Sequence, residues 1–513
     1  MICHRPTDVF WKEGHDCGLP TVPSAYRAIC ANGWLLHKCK RITGIEIVKK
    51  QIVAIVFLLA VVVLAAWWLL RESSQGQITS TDSATNGDAA VPPDTSTADR
   101  HAATGWSEAP DARVAVREAM AMARKRLGDE KVVFAYVAPT VGYDVKTIMD
   151  EVNTLLDPGA KVYGITSAMA VMTDDGFHDR LEGTIAILLV GENAGIRFGV
   201  GSVDGIDPAD LQSQGAEAIK RTIADAGMPP GARPDFILYC GDSHYGGEMK
   251  ILDGIASVVG KDTLVVGGNA RDNVMSENRH QFTRDAMYSQ GLVLAAMFTE
   301  KKIGWAFESG FRLTETGGVV TKANEEGTLL YEIDGRPALD VYDEWLGGKL
   351  IPVLKGKTRA ELAKYTGLNP ICRVLKGDEG QVGYLVAHPI PTQENLEDRA
   401  LPVYSQILEG SEIRLFAGQW QNLLNRAEKV TSKALYRAEL KPDTTAFGVM
   451  YFCFGARKTL PQSEVPTIPL LVKNQIPGVP FIGVFTGGEQ GPLPGIRNVN
   501  CNLVVSMIVL GKS

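Results

Sequence analysis

The sequence predicts an α/β protein in which repeated β-α-β-β units form two layered α/β domains, preceded by one transmembrane helix. Three observations support this class. A 19-residue apolar run lies near the N-terminus, short apolar strand-like runs alternate with helical stretches, and one order of elements recurs three times. The predicted segments are a cytoplasmic N-terminal segment at 1–50, a transmembrane helix at 51–71, a linker at 72–105, and two domains at 106–346 and 347–513.

The apolar run, Ile52 to Leu70, contains no charge and no helix breaker. At about 1.5 Å per residue, a helix of this length nearly crosses a hydrocarbon core of about 30 Å. Trp67 and Trp68 lie near one end, where indole rings favour the headgroup region, and Arg71 follows. The run therefore predicts a membrane-spanning helix, and its length favours an uncleaved anchor over a cleaved signal peptide.

The flanking charges predict the orientation of this helix. Residues 1–50 contain eight Lys and Arg residues, whereas residues 71–100 contain two. By the positive-inside tendency, the N-terminus is cytoplasmic and the body of the chain is extracytoplasmic, on the periplasmic side of the inner membrane in a Gram-negative bacterium. The first 46 residues match no targeting pattern, so a true start near Val48 is the alternative.

The stretch that follows the helix, residues 72–105, is rich in Ser, Thr, Asp, Ala and Pro. Such a composition buries too little apolar area to offset the entropy of ordering the chain. We expect a flexible tether between the membrane and the folded body.

The body repeats one unit three times. The copies run from "KVVFAYVAP" to "GTIAILLV", from "PDFILYCGDS" to "QGLVLAAMF", and from "TAFGVMYFCFGAR" to "CNLVVSMIVL". Each middle strand carries a glycine near its end, at Gly164, Gly267 and Gly483, and an insert at about 300–440 precedes the third copy. The shared order favours internal duplication, although β-α-β order is common enough to recur by coincidence.

Composition argues against several functions. The net charge of −7 argues against a nucleic-acid partner. The eight cysteines form no C-x-x-C pair, so we expect free thiols; a metal held by cysteines and histidines of the first 40 residues is the less favoured alternative. The run "FGVGSVDGID" lacks the third glycine of a dinucleotide fingerprint. We expect neither a cofactor nor a metal.

The segment "VFTGGEQGPLPG", Val484 to Gly495, carries the strongest functional signal. It follows an apolar strand and places four glycines and two prolines around one acid, Glu489. A plain turn needs only one or two such residues, so the path of this loop is suited to a close approach by a ligand. In open α/β sheets, ligands bind beyond the carboxyl ends of the strands, where this loop lies. A turn at a sheet edge is the alternative.

These segments resemble the FIST domain family over about residues 115–513, with the N-terminal half before the C-terminal half. In the N-terminal half the resemblance depends on the motifs "VYGITSA", "LVVGGNARDN" and "GTLLYEIDGRPALDVYDEWLG". In the C-terminal half it depends on "FCFGAR", "VPFIGVFTGGEQGPLPG" and "NCNLVVSMI". The resemblance implies a sensory domain that binds a small molecule, with amino acids and their derivatives proposed as ligands, and it implies no enzymatic activity. Any output then passes through an unknown partner protein.

The chain departs from the family in two respects. The first unit continues "TSAMAV", where the family usually has a glycine and an acid, which weakens a ligand role for that unit. Members are also generally thought to be cytoplasmic, whereas this chain carries a predicted anchor. The motif positions include Gly164, and the predicted ligand-binding residues are Glu489, Arg457, Thr486, Gly488, Asn500, Cys453, Gly267 and Asn269.

Arg457 and Glu489 suggest how a ligand is held. The guanidinium of Arg457, which we expect at a strand end, matches a carboxylate bidentately, and Glu489 suits an ammonium. Together they predict a clamp for a zwitterion such as an amino acid. The alternatives are a surface ion pair for Arg457 and a solvated loop carboxylate for Glu489.

Cys453 supports a second hypothesis, a hydrolase or transferase with a cysteine nucleophile. Such an enzyme needs a base, for which His244 and His388 are candidates, but neither lies in a Cys-His signature. The neighbours Asp242, Ser243 and His244 do not form a nucleophile elbow. Cysteine in an apolar strand also packs as a small hydrophobe. A third hypothesis is a non-enzymatic assembly scaffold in which the glycine-rich segment contacts protein.

Overall fold

The computed structural model describes residues 100–242, 247–273, 278–354 and 356–512. The predicted cytoplasmic segment, the transmembrane helix and most of the linker lie outside these residues. Within the described residues, no helix is long and apolar enough to cross a bilayer. The linker prediction extends too far at its C-terminal end, because Ala102 and the residues after it form a buried strand that pairs with a neighbouring strand of the first sheet.

The first two units have the same order of elements: strand, helix, strand, helix, strand, hairpin, strand. The first contains β1 (Ala102–Ser107), α1 (Ala112–Leu127), β2 (Val132–Pro139), α2 (Val145–Leu155), β3 (Lys161–Ile165), the hairpin of β4 (Val171–Thr173) and β5 (Gly176–His178), and β6 (Ile185–Gly191). The second contains β7 (Arg197–Val203), α3 (Leu211–Asp225), β8 (Phe236–Gly241), α4 (Glu248–Val259), β9 (Leu264–Asn269), the hairpin of β10 (Gln281–Phe282) and β11 (Met287–Tyr288), and β12 (Leu292–Phe298).

The third unit starts at β13 (Ile303–Glu308) and is then interrupted by the insert. The insert forms a seven-stranded antiparallel sheet with short helices: β14 (Arg312–Ala323), β15 (Leu329–Ile333), β16 (Arg336–Pro337), α5 (Ala338–Trp345), α6 (Ile351–Leu354), α7 (Arg359–Thr366), β17 (Ile371–Lys376), β18 (Val382–Ala387), α8 (Asn395–Asp398), β19 (Leu401–Pro402) and β20 (Glu412–Ala417). The unit resumes with α9 (Trp420–Leu424), α10 (Arg426–Ala438), β21 (Thr445–Cys453), α11 (Phe454–Thr459), α12 (Ile468–Gln475), β22 (Phe481–Thr486), the hairpin of β23 (Glu489–Leu493) and β24 (Arg497–Cys501), and β25 (Val505–Gly511).

Each unit builds a sheet that is completed by the hairpin of another unit. The three six-stranded sheets have the orders β1-β6-β2-β3-β10-β11, β7-β12-β8-β9-β23-β24 and β13-β25-β21-β22-β4-β5. The first unit therefore gives its hairpin to the third sheet, the second to the first, and the third to the second. The architecture is α/β, but the two predicted domains share sheets through this cyclic exchange, which local sequence patterns do not reveal.

The three glycines that recur in the sequence occupy equivalent places in this exchange. Gly164 pairs with Phe282, Gly267 with Gln490 and Gly483 with Met172, in each case a residue of the incoming hairpin. A Cβ atom at Gly164 would lie 2.1 Å from the Phe282 ring, and one at Gly483 would lie 2.9 Å from Met172 Cε. Glycine is favoured at Gly164 and Gly483 because these side chains pack directly against the backbone, and at Gly267 because a Cβ atom would overlap the backbone oxygen of Tyr239.

The three sheets share one buried core between them. It contains Tyr136 of β2, Tyr163 of β3, Cys240 of β8 and Tyr451 of β21. The hydroxyls of Tyr163 and Tyr451 lie 3.2 Å apart, and the rings of Tyr136 and Tyr163 meet edge to face at 4.9 Å. The helices cover other faces of the sheets, which buries the strands on both sides and explains their continuous apolar sequences.

Candidate functional site

The glycine-rich segment forms a tight turn between β22 and β23. Thr486 ends β22, Gly487 and Gly488 make the turn, and Glu489 begins β23. Gly488 has φ of +99°, a conformation that favours glycine. Part of the predicted loop is thus a strand, because Glu489 pairs with Gly268 of the second unit.

Glu489 is a fully buried carboxyl group. Its Oε1 accepts a 2.9 Å hydrogen bond from Thr486 Oγ1, and its Oε2 accepts no hydrogen bond. Burial raises the pKa of Glu489 to about 8, and the Thr486 hydroxyl, the Cys453 thiol, the Val504 backbone and the charge of Arg426 oppose that rise. Near pH 7 the protonated form is therefore favoured, and a positively charged neighbour would favour the ionised form.

Cys453 lies beside Glu489 at the end of β21, where it pairs with Thr486 of β22. The side chain is buried, and Sγ accepts a hydrogen bond from the backbone N–H of Leu503 at 3.2 Å. Burial, together with the Glu489 carboxyl, raises the pKa of the thiol to about 12. Cys453 is accordingly a neutral thiol and not an activated nucleophile.

Three amide side chains surround the turn. Asn269 of β9 is tied to it by two backbone hydrogen bonds, from its N–H to Gly488 O and from Gly487 N–H to its own oxygen, each 3.0 Å. Gln490 Nε2 donates to Asn500 Oδ1 at 2.8 Å. Buried oxygens of Asn269 and Gln490 have no hydrogen-bond partner. The turn thus lies in a polar cluster whose hydrogen bonding is incomplete.

Arg457 does not contact Glu489. It lies one turn into α11, because β21 ends earlier than the sequence suggests, at Cys453. Its Nη1 donates to Met169 Sδ at 3.2 Å, and the guanidinium lies 5.3 Å from the centre of the Phe485 ring. Burial lowers the pKa of Arg457. The described contacts therefore do not provide the Arg457–Glu489 clamp that the sequence suggests.

The cation that acts on Glu489 is Arg426 of α10, which sequence reasoning missed. Arg426 is fully buried and donates hydrogen bonds to the carbonyl oxygens of Leu423 at 3.0 Å, Ser309 at 2.7 Å and Leu503. Burial lowers its pKa to about 10. These carbonyl acceptors hold the charge in place, and Arg426 forms no ion pair with any described residue.

A signal for Arg426 was present in the sequence. Spacings of three and four residues place Arg426 on the same helix face as Leu423 and Val430, both of which are buried. A charged residue on the apolar face of a helix needs a buried partner, so this pattern indicates that Arg426 interacts with polar groups in the core.

The structure brings most of the predicted residues together around the turn: Glu489, Thr486, Gly488, Cys453, Gly267, Asn269 and Asn500. Arg457 lies apart from the Glu489 carboxyl, and His244 lies outside the described residues. A surface cleft of about 640 Å³ near the end of α1 contains none of these residues. A ligand pocket lined by them therefore remains a prediction.

Two family descriptions match the chain across the units that build this cluster. The FIST N domain matches residues 131–336 and the FIST C domain matches residues 338–492. The chain belongs to the FIST family. FIST domains are generally sensory, ligand-binding domains, and this FIST protein shares that general character.

Other comparisons add little to this assignment. No curated protein matches the chain. A cyanuric acid hydrolase from A. caulinodans is 8% identical, covering 80% of this chain and 99% of that chain with a TM-score of 0.34. A second cyanuric acid hydrolase is 9% identical, with a match that covers 80% of this chain and 99% of that chain at a TM-score of 0.28. PurLQS from Thermotoga maritima is 10% identical, with a match that covers 80% of this chain and 72% of that chain at a TM-score of 0.18. TM-scores this low support no conclusion about function.

Proposed function

We propose that this FIST protein is a single-pass membrane sensor with an extracytoplasmic FIST region, that it binds a small polar ligand at the Glu489 cluster, and that it signals through a partner protein. The ligand class is an amino acid or a derivative. The observation that carries the proposal is the buried Glu489 Oε2, which has no hydrogen-bond partner among the residues that the structure describes. A buried carboxyl oxygen left unsatisfied costs free energy, and a ligand ammonium would satisfy it.

The charge of the ligand follows from the chemistry of Glu489. A cationic group stabilises the carboxylate, so binding below about pH 8 releases a proton from Glu489. Affinity for an ammonium should therefore rise with pH and level off above about pH 8. Because Glu489 is fully enclosed, binding also requires local opening, and we expect association slower than a diffusional encounter.

Thermal shift against amino acids and their derivatives tests this proposal. A ligand that binds only the folded state raises Tm, and the rise grows with the logarithm of its concentration relative to Kd. Loss of a charge-assisted hydrogen bond of about 1.5–3 kcal/mol should make Glu489→Gln bind tenfold or more weakly. Glu151→Gln is the control, because Glu151 is a buried acid in the first unit that already pairs with Arg117 at 2.6 Å.

The results separate the sensor from a scaffold. A ligand response that is weakened by Glu489→Gln and unchanged by Glu151→Gln supports the sensor. A panel in which no compound raises Tm contradicts it and favours the scaffold, in which the glycine-rich segment contacts protein.

One observation keeps the cysteine enzyme as a second candidate. A Cβ atom at Gly455 would lie 3.5 Å from Cys453 Sγ and 3.6 Å from His388 Nδ1, so the thiol and the imidazole flank the same glycine. Burial lowers the pKa of His388 to about 4 while that of Cys453 is raised to about 12. Neither shift favours a thiolate, so the sensor is the stronger proposal.

A further inference from the structure

Two buried arginines without an ion pair lie at the end of β22. Arg271 is 7% exposed and Arg457 is 3% exposed, and the Nε atom of each has no hydrogen-bond partner. Within the part of the chain that the structure describes, neither forms an ion pair. Asp272, next to Arg271, is also buried but forms no ion pair with it, and the acid that acts on Arg457 is the exposed Asp179.

Both arginine side chains lie against the segment from Phe485 to Gly487. A Cβ atom at Gly487 would lie 2.7 Å from Arg271 Cδ and 3.0 Å from its Nε, so the Arg271 side chain packs on the backbone of Gly487. Arg457 lies over the ring of Phe485. Phe485 belongs to β22 and Gly487 follows the last residue of that strand, so the two arginines contact neighbouring residues of one segment. The glycine at 487 provides the space that Arg271 occupies.

A chain of contacts closes this arrangement from the other side. Arg457 Nη1 donates to Met169 Sδ, and the backbone N–H of Met169 donates to Asn273 Oδ1 at 2.6 Å. Asn273 lies two residues after Arg271. These hydrogen bonds link Arg457 to the segment that carries Arg271 through residues of all three units.

We propose that Arg271 and Arg457 together bind an oxyanion, the carboxylate or phosphate group of a small ligand. Burying a cation without a partner is costly. An oxyanion that accepts hydrogen bonds from both planar guanidinium groups removes this cost for both arginines. This site goes beyond the function proposed above, because it uses Arg271 and requires neither Glu489 nor an ammonium.

The test uses the full chain and measures the Tm of its FIST region. The Tm in sodium acetate and the Tm in sodium phosphate are each compared with the Tm in sodium chloride at the same ionic strength. We expect one oxyanion to raise the wild-type Tm by several degrees more than chloride does. The rise should be lost in Arg271→Gln and in Arg457→Gln. Arg373→Gln, which changes a half-buried arginine of β17, should keep it.

The two anions and a second variant sharpen the outcome. A larger effect of phosphate assigns a phosphorylated ligand, and a larger effect of acetate assigns a carboxylate ligand. Without oxyanion, Arg271→Met should have a Tm equal to or above that of wild type, because it removes an unpaired buried charge. An oxyanion effect no larger than that of chloride, or one of equal size in Arg271→Gln, overturns the proposal and leaves the Glu489 function untouched.

Discussion

Thr486 donates a 2.9 Å hydrogen bond to Glu489 across the two glycines that separate them. The bond joins the last residue of β22, in the third sheet, to the first residue of β23, which belongs to the second sheet. The chain therefore crosses between sheets at the point where its buried carboxyl lies. Four predictions follow from the chemistry of this crossing and from the orientation of the anchor.

Glu489 should make folding less favourable as pH rises. Its pKa rises from 4.5 to about 8 on folding, so between these values the folded state holds a proton that the unfolded chain releases. The stabilisation is fully present below about pH 4.5 and is lost as pH approaches about 8. Glu489→Gln cannot titrate and should remove this part of the slope. Urea unfolding at several pH values between about 5 and 8 measures it.

The control for this prediction is Glu151→Gln. Arg117 lowers the pKa of Glu151, so its stabilisation is lost as pH falls, below the measured range. The slope between about pH 5 and 8 should match that of wild type. Equal slopes in wild type and Glu489→Gln would show that Glu489 is ionised in the folded protein.

Cys453→Ala should lower the free energy of unfolding by about 1 kcal/mol or more while ligand binding persists. The reason is that Cys453 packs in the core and that its Sγ accepts a hydrogen bond from the backbone N–H of Leu503. Cys240→Ala is a matched control, since Cys240 is a buried thiol of the second sheet whose pKa burial also raises. Denaturant unfolding and the thermal shift response provide the two measurements. Loss of a catalytic activity with unchanged stability would favour the cysteine enzyme.

Gly488→Ala should destabilise the protein more than Gly159→Ala. Both glycines have positive φ, +99° and +83°, so alanine is strained at either position. At Gly159 the new Cβ meets no atom within 4 Å, whereas at Gly488 it would lie 3.2 Å from Asn269 Nδ2. We expect Gly159→Ala to lower the free energy of unfolding by about 1 kcal/mol and Gly488→Ala to lower it by more. Equal decreases in the free energy of unfolding would mean that the amide side chains move aside for the new methyl group and are not tightly packed around the turn.

An alkaline phosphatase fused after Ser513 should be active only if the body of the chain is extracytoplasmic. The N-terminal flank of the predicted helix contains eight basic residues and the C-terminal flank contains two, which predicts that orientation. A reporter that is active only in the cytoplasm, fused at the same place, is the complementary control. An inactive phosphatase with an active cytoplasmic reporter would reverse the predicted localisation and leave the ligand site unaffected.

Local sequence patterns were sufficient to predict many of the elements and several of the residues that gather around the turn. Apolar runs of strand length marked β3, β9 and β22, and the glycines near their ends marked the places of closest approach. The density of glycine around Glu489 marked the turn, since few other residues adopt its backbone conformation. These features depend on backbone preference and hydrophobic periodicity, which neighbouring residues determine.

The pairing of the elements was decided by tertiary structure alone. The exchange of hairpins places Glu489 opposite Gly268, more than two hundred residues earlier in the chain, because strand hydrogen bonds select partners and register without regard to sequence distance. Burial then determines the pKa of Glu489, and helix packing brings Arg426 close enough to act on it, while Arg457 lies on Phe485. Sequence identified the chemical groups; their partners and protonation follow from which surfaces are buried together.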